Sequence, residues 1–409
     1  MKKLKFIERK ERLKFTITGK LIILLIIILT FAFVFRNLNS FLAISNPINT
    51  KLLVIEGWLP DDVLKSVMHE FYDNNYDKII ITGKPTERGY YISKYKSSAD
   101  IAQKTLISFG FDKNKIETIA IPRNIIKDRT YANAVSLSYY LKKTKSKYES
   151  FNIYTLGCHS RRSKELFRSA FPKNFNIGII SGKDVSYDKN KWWNSSRGFR
   201  TVSGEAIAYL YIKLFFSSYN KKMLKKIING YYIDEINEHR RSTFHEFKNP
   251  DTSPLSSEQI EIFSRLNYFE FDQKYKIKGQ FKIDTSTSIF KMKTNTNRLP
   301  EYRKYGTINL IIDTNHLSLT VYQNIELIKK PELKDYLFIP FRDFTSGEET
   351  YGGGRYLDFK IPKTDTIIID FNLAYNPYCA YNNKYSCPVT PIENHLGIKI
   401  LAGEKRFDY

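Results

Sequence analysis

The sequence predicts one membrane-spanning helix, then an α/β domain on a mostly parallel sheet, then a mainly antiparallel β domain, a sandwich or a barrel. Three observations predict this. An uncharged apolar run, Leu21 to Phe35, stands near the N-terminus. Between about residues 50 and 217, short apolar strands alternate with helical stretches, the order of a parallel sheet covered on both faces. After Pro254, apolar and polar residues alternate with period two between turn residues, as in antiparallel strands.

The apolar run is bounded by Lys20 and Arg36. It falls short of the roughly 20 residues of a usual span. Phe15 to Gly19 can lengthen the helix, and the flanking cations can reach the headgroups. The expected span is 16–36. Residues 1–15 form a basic arm, with Lys2, Lys3, Lys5, Arg9, Lys10, Arg12 and Lys14 against Glu8 and Glu11. That excess is expected to stay cytoplasmic, leaving a single-pass protein of the inner membrane with its domains outside. A cleaved signal peptide is the rival reading. The long charged leader and the lack of a small-residue cleavage site speak against it.

In the first domain, 50–217, Leu52 to Ile55 is a strand that ends at Glu56-Gly57. Pro60, Asp61 and Asp62 open a helix, because proline suits the first turn and acids suit the positive end of the dipole. Lys78 to Ile81 is the second strand, ending at Thr82-Gly83, and Ser97-Ser98 lead a helix to about Ser108. Ile116 to Ile121 is the third strand, followed by a helix over Thr130 to Lys142. Phe151 to Leu156 is the fourth, followed by a helix from His159 or Ser160 to about Phe171, and Ile177 to Ile180 is the fifth. Residues 218–230 read as a connector helix, with Met223, Leu224, Ile227 and Ile228 at helical spacing among lysines. Gly230 is expected to end it.

The second domain, 231–409, opens with a helix over about Ile233 to Phe247 and a short one near Ser256 to Arg265. Strands are expected at Tyr275–Ile283, Thr307–Ile312, Leu317–Tyr322, Leu337–Ile339, Tyr356–Ile361, Thr366–Ile369 and Gly397–Leu401.

Composition narrows the function classes. The 409 residues are 42% hydrophobic, which suits buried cores and excludes a disordered chain. The 29 Tyr and 29 Phe favour sheet surfaces. The net charge of +23 fits either nucleic acid or anionic lipid. Its cations are spread along the whole chain without a nucleic-acid motif, so the lipid bilayer is the expected partner and nucleic acid is not. Three cysteines are too few for a disulfide scaffold.

In parallel sheets, ligands bind beyond the carboxyl ends of the strands. Glu56, Gly57, Thr82, Gly83 and His159 stand there. Arg129, Thr130 and Asn133 belong to the helix after the third strand, and Arg161 and Arg162 to the first turn after the fourth. Helix N-termini and arginines bind anions. Glu56 and His159 are therefore the candidate catalytic acid–base residues, and the others candidate ligand-binding residues. Cys158 reads as a small filler, Glu205 as structural, and Trp192 and Trp193 as lid or core.

These positions carry a resemblance. Asp128-Arg129-Thr130-Tyr131-Ala132-Asn133 and Cys158-His159-Ser160-Arg161-Arg162-Ser163, with the two strand-end glycines, resemble motifs of the YdcF/SanA/ElyC-like envelope family, domain of unknown function 218. The resemblance spans about 51–215 and implies a Rossmann-like fold and an envelope role. Two departures stand out. Glu56-Gly57-Trp58 replaces the family's glycine-rich stretch, and Ser97-Ser98-Ala99 lacks its acid.

The C-terminal half has its own signature. Phe341-Arg-Asp343-Phe-Thr345-Ser-Gly347-Glu-Glu-Thr350-Tyr351-Gly-Gly-Gly354-Arg355 looks like that of domain of unknown function 1684. Asp370-Phe371-Asn372, Asn376-Pro377, Cys387-Pro388, Glu393-Asn394 and Gly403-Glu404 continue the resemblance over about 231–409. Asp343, Thr350, Tyr351, Arg355, Asp370, Asn372, Asn376, Glu393 and Asn394 form either a binding pocket or a hydrogen-bonded network that fixes loops. Cys379 and Cys387 are a candidate disulfide, one that would stabilise by about 2–4 kcal/mol. With His395 they would make three metal ligands, but at no known zinc spacing, so no metal is expected. No cofactor is indicated.

Two functional readings follow, and the residues leave open whether the chain is catalytic. In the first, a membrane-anchored envelope protein binds or processes an anionic, phosphate-bearing ligand such as a polyprenyl phosphate in its α/β domain. In the second, it is a non-catalytic envelope scaffold whose β domain binds a glycan, a lipid or a protein.

Overall fold

A computed structural model describes residues 15–286 and 288–407. The chain divides into two units, Met1–Tyr231 and Tyr232–Tyr409. The basic arm, apart from Phe15, lies outside the described residues.

The first unit begins with α1, Ile17–Leu42, started by Thr16, whose Oγ1 accepts from the Gly19 N–H at 3.1 Å. Its apolar stretch has a mean hydropathy of 2.7, and the helix is long and apolar enough to cross a membrane. Large apolar side chains from Ile17 to Val34 are exposed. Beyond them the helix docks on its own unit. Phe35 packs 4.5 Å from the Trp192 ring, the Tyr187 hydroxyl donates to Asn39 Oδ1 at 2.9 Å, and the Ser160 hydroxyl donates to the Leu42 carbonyl at 3.2 Å. The expected end near Arg36 is thus passed. Asn37, Asn39 and Ser40 are poor helix formers, and these contacts hold them in the helix.

Five strands follow with their helices: β1 Leu52–Glu56, α2 Asp61–Asp73, β2 Lys78–Gly83, α3 Ser98–Ser108, β3 Ile116–Ala120, α4 Arg129–Lys143, β4 Ser150–Leu156, α5 Ser160–Ala170, β5 Asn176–Gly182 and α6 Ser196–Leu214. The sheet order is β3-β2-β1-β4-β5, and every pairing is parallel. Strand periodicity splits β1 between two cores. Leu52 and Val54 pack with Leu137 of α4 and Phe167 of α5, whereas Leu53 and Ile55 pack with Val67 of α2 and Leu106 of α3.

One unbroken helix, α7 at Asn220–Lys248, replaces the two helices expected around Gly230. Gly230 does not cap it. A Cβ there would lie 2.6 Å from Pro122 Cγ, so the glycine lets the helix pass close to the loop after β3.

The second unit contains α8, Ser257–Ile262, and a curled antiparallel sheet. Its strands are β6 Lys276–Ile283, β7 Ile289–Lys291, β8 Glu301–Ile312, β9 Asn315–Asn324, β10 Tyr336–Phe341, β11 Arg355–Lys360 and β12 Thr366–Asp370. The order is β11-β10-β9-β8-β6-β12, with β7 also on β8. Ile308, Leu319, Val321, Leu337, Ile339 and Phe341 fill the core.

Gly397–Leu401, expected as a strand, is not one. Its alternation is real, because Ile400 is buried. The backbone groups of Ile400, however, bond to side chains. The Ile400 N–H donates to Asp343 Oδ2 at 2.7 Å, and Arg355 Nη2 donates to the Ile400 carbonyl at 2.9 Å.

Candidate functional site

In the first sheet the chain winds outward from β1 through β2 to β3, and then in the other direction from β4 to β5. The β1/β4 boundary is therefore the switch point where open parallel sheets leave a crevice. Glu56 ends β1, and His159 follows β4 after a turn at Gly157, whose φ of 48° glycine adopts readily. The two side chains meet there, with His159 Nε2 at 3.5 Å from Glu56 Oε2.

Two further residues complete the cluster. Glu205, on α6, places Oε1 at 2.9 Å from His159 Nδ1. Arg162, in the first turn of α5, donates from Nε to Glu205 Oε2 at 2.7 Å and from Nη2 to Oε1 at 3.0 Å. Glu56 is 1% exposed, and its Oε2 also accepts from the Thr155 and Ser163 hydroxyls. Trp58 covers the imidazole edge-on, with ring centroids 5.2 Å apart. The quartet holds two carboxylates and two cationic groups, so its buried charges are mutually paired.

Titration follows from this geometry. Burial disfavours an imidazolium at His159. The Glu56 charge and the hydrogen bonds of Glu205 and Glu56 outweigh it and lift the pKa to about 9. Burial likewise opposes ionisation of Glu205, but bonds and charges from His159 and Arg162 bring it down to about 2. Glu56 moves down as well, its burial outweighed by the His159 charge.

Arg162 also opens onto a cavity of about 490 Å³. Its floor is the start of α4, with Asp128, Arg129 and Thr130, and its walls are Leu166, Tyr211, Ile212, Phe216 and Ile126. Asp128 has a left-handed backbone, φ 54°, and makes no side-chain cap to α4. Its carboxylate accepts instead from the Tyr219 hydroxyl at 2.5 Å. The cavity thus faces an uncapped, positive helix end flanked by two arginines.

The other expected residues are placed differently. Arg129 reaches the cavity but pairs with Glu87 at 2.6 Å. Arg161 turns to α1, donating to the Phe41 carbonyl and stacking 4.0 Å from the Phe41 ring. Gly57 and Gly83 admit the start of α3, since a Cβ on either would strike Ala99. Thr82 is buried and donates to the Ile55 carbonyl at 3.3 Å. Asn133 is buried on α4, and its Oδ1 has no hydrogen-bond partner among the described residues. Glu205, read as structural, is central here. Its partners lie 43 and 46 positions away, so no local spacing signalled it. Cys158 is buried filler, and Trp192 is core beneath Phe35.

In the second unit most of the signature residues make a network. Arg355 and Asp343, both fully buried, pair at 3.3 Å, and Thr345 donates to Asp343 while pairing with Thr350 at 2.9 Å. Arg355 also donates to the Ala402 carbonyl. Gly354, φ 96°, allows the approach of the Phe341 carbonyl. Asn394 bridges Thr320 and the Pro340 carbonyl at 2.7–2.8 Å, and Asn372 bonds Asp370 and both backbone groups of Asp272. Glu393 pairs with Lys304 at 2.7 Å. Asp370 lines a separate cavity beside Tyr232. Asn376 borders a tyrosine-rich cavity, together with Cys387. Tyr351 lies 3.7 Å from Cys379 Sγ, and the Cys379 N–H donates to Cys387 Sγ at 3.3 Å; both thiols are free. No group of His, Cys, Asp and Glu among the described residues could hold a metal.

Fold and sites together define a two-unit protein: a parallel α/β unit led by an apolar helix, and an antiparallel β unit. Residues 261–405 match a family described as "Protein of unknown function (DUF1684)", in agreement with the C-terminal signature. The N-terminal resemblance rests on its motifs alone. Among solved structures, the chain is similar to the solution NMR structure of an uncharacterized protein of Haloarcula marismortui, at 29% identity, covering 42% of this chain and 94% of that one, with a TM-score of 0.35. No curated protein matches.

Proposed function

We propose that the first unit binds a membrane-borne amphiphile with an anionic, phosphate-bearing headgroup, of the polyprenyl-phosphate kind, at the surface of the membrane that α1 crosses. The observation that carries this is the α4 cavity. Arg129, Arg162 and a free helix start suit a phosphate, and Ile126, Tyr211, Ile212 and Phe216 suit the first part of an apolar chain. Support comes from α6, which packs against the docked end of α1 and exposes Ile207, Leu210, Tyr211 and Leu214. In this reading Glu56 and His159 are positioning residues. They hold Glu205, which in turn fixes Arg162. The basic arm favours an orientation with both units outside the cytoplasm, in keeping with the envelope role that the N-terminal motifs imply.

The test uses the full chain in a non-ionic detergent, titrated with farnesyl phosphate and with farnesol. Farnesyl phosphate is expected to bind at least about tenfold more tightly than farnesol, and Arg129→Ala to remove most of that difference. Equal binding of the two compounds would sink the proposal.

A further inference from the structure

The second unit holds a cavity of about 480 Å³ that the proposal above does not use. Its wall is aromatic, and the rings meet at steep angles. Phe338 and Tyr356 are 4.7 Å apart at 79°, and Tyr356 and Tyr375 are 6.0 Å apart at 89°. Rings at right angles form the sides of a box, not a flat stacking platform.

Five of the seven tyrosine hydroxyls at the cavity are engaged by protein partners. Those of Tyr336 and Tyr375 both donate to Asp358 Oδ1 at 2.7 Å. Tyr378 donates to Glu246 Oε1 at 2.9 Å, Tyr381 to Glu404, and Tyr356 to the Pro388 carbonyl. The cavity therefore offers mainly ring faces and carboxylates, with the His239 imidazole also on its wall. No lysine or arginine lines it among the described residues; Arg298 stands behind Ser386 and is bound to the Ser386 carbonyl at 2.7 Å. An anion would meet the carboxylates of Asp358 and Glu246. A cation with an apolar skin fits both features, since ring faces attract it by their quadrupole and carboxylates by charge.

We infer that this cavity binds an organic cation, an alkylammonium group enclosed by Tyr356, Tyr375 and Tyr378 and neutralised by Asp358. Asp358 and Tyr378 are exposed and within reach of an entering ligand.

Isothermal titration of the full chain in a non-ionic detergent, with choline and with its neutral carbon isostere dimethylbutanol, tests this. Choline is expected to bind saturably, and the isostere roughly tenfold more weakly or not at all. Asp358→Asn, which keeps an acceptor for the two tyrosines, and Tyr378→Leu should each weaken choline by roughly tenfold while the thermal midpoint holds. If Asp358→Asn fails to fold, Tyr378→Leu decides. Equal binding of choline and the isostere, no saturable heat from choline, or variants that fold and bind choline like the natural chain would each overturn the inference.

Discussion

His159 lies between two carboxylates and beside a guanidinium, so its charge is tied to folding. Its folded pKa of about 9 exceeds the 6.5 of a free imidazole, so its stabilisation is complete below pH 6.5 and is lost as pH rises through about 9. The span corresponds to about 3 kcal/mol. Glu205 has the opposite sign: its contribution is present above pH 4.5 and is lost as pH falls toward 2. Tryptophan reads this unit selectively, because Trp58, Trp192 and Trp193 all belong to it. Thermal unfolding followed by tryptophan emission should lose stability between pH 6.5 and 9 in the natural chain, and much less in His159→Gln. Identical pH slopes would show that the imidazole does not carry this charge.

At the scale of elements, glycine has opposite meanings in two helices. In α7, a Cβ at Gly230 would press on Pro122 and Asn124, whereas at Gly204 in α6 nothing lies within 4 Å. Gly230→Ala is therefore expected to destabilise by about 1–3 kcal/mol through overpacking, despite alanine's better propensity. Gly204→Ala should stabilise by up to about 1 kcal/mol. Urea midpoints of the two variants check this, and a gain at both positions would refute the close approach. The same contrast explains why the sequence points to a helix end at Gly230 where there is none. A glycine after a run of helical spacing looks like a stop, and only the loop after β3, about a hundred residues earlier, shows otherwise. The docked end of α1 was hidden in the same way. Its sequence is polar, and its helix depends on Trp192, Tyr187 and Ser160.

For the whole molecule, the order of strands and helices in the first unit was legible because each strand is a short apolar run, and four of the five end at or just before a glycine. So was the change to antiparallel pairing. β7 and the first half of β8 were not, since Glu301-Tyr-Arg-Lys-Tyr reads as a charged loop until Tyr302 is seen buried. Of the site, Glu56, His159 and Arg162 were legible as strand-end and helix-start residues. Glu205 was not, and neither was the diversion of Arg161 to α1, because both depend on contacts distant in sequence. The orientation proposed above is checked by protease on sealed vesicles. In right-side-out vesicles both units should be digested, and in inverted ones protected; digestion from the cytoplasmic side alone would reverse the assignment.

The Arg355 knot also sets an order of events. Arg355 and Asp343 lie in the middle of the second unit's sequence, yet they bond to backbone groups at Ile400 and Ala402. A chain leaves the ribosome from its N-terminus, so every strand from β6 to β12 emerges before those partners do. Until then a guanidinium at the centre of the unit lacks the carbonyls that compensate its burial, and a dry core cannot close around it. Completion of this unit is therefore timed by the arrival of its final segment, which acts as a latch on a nearly finished sheet.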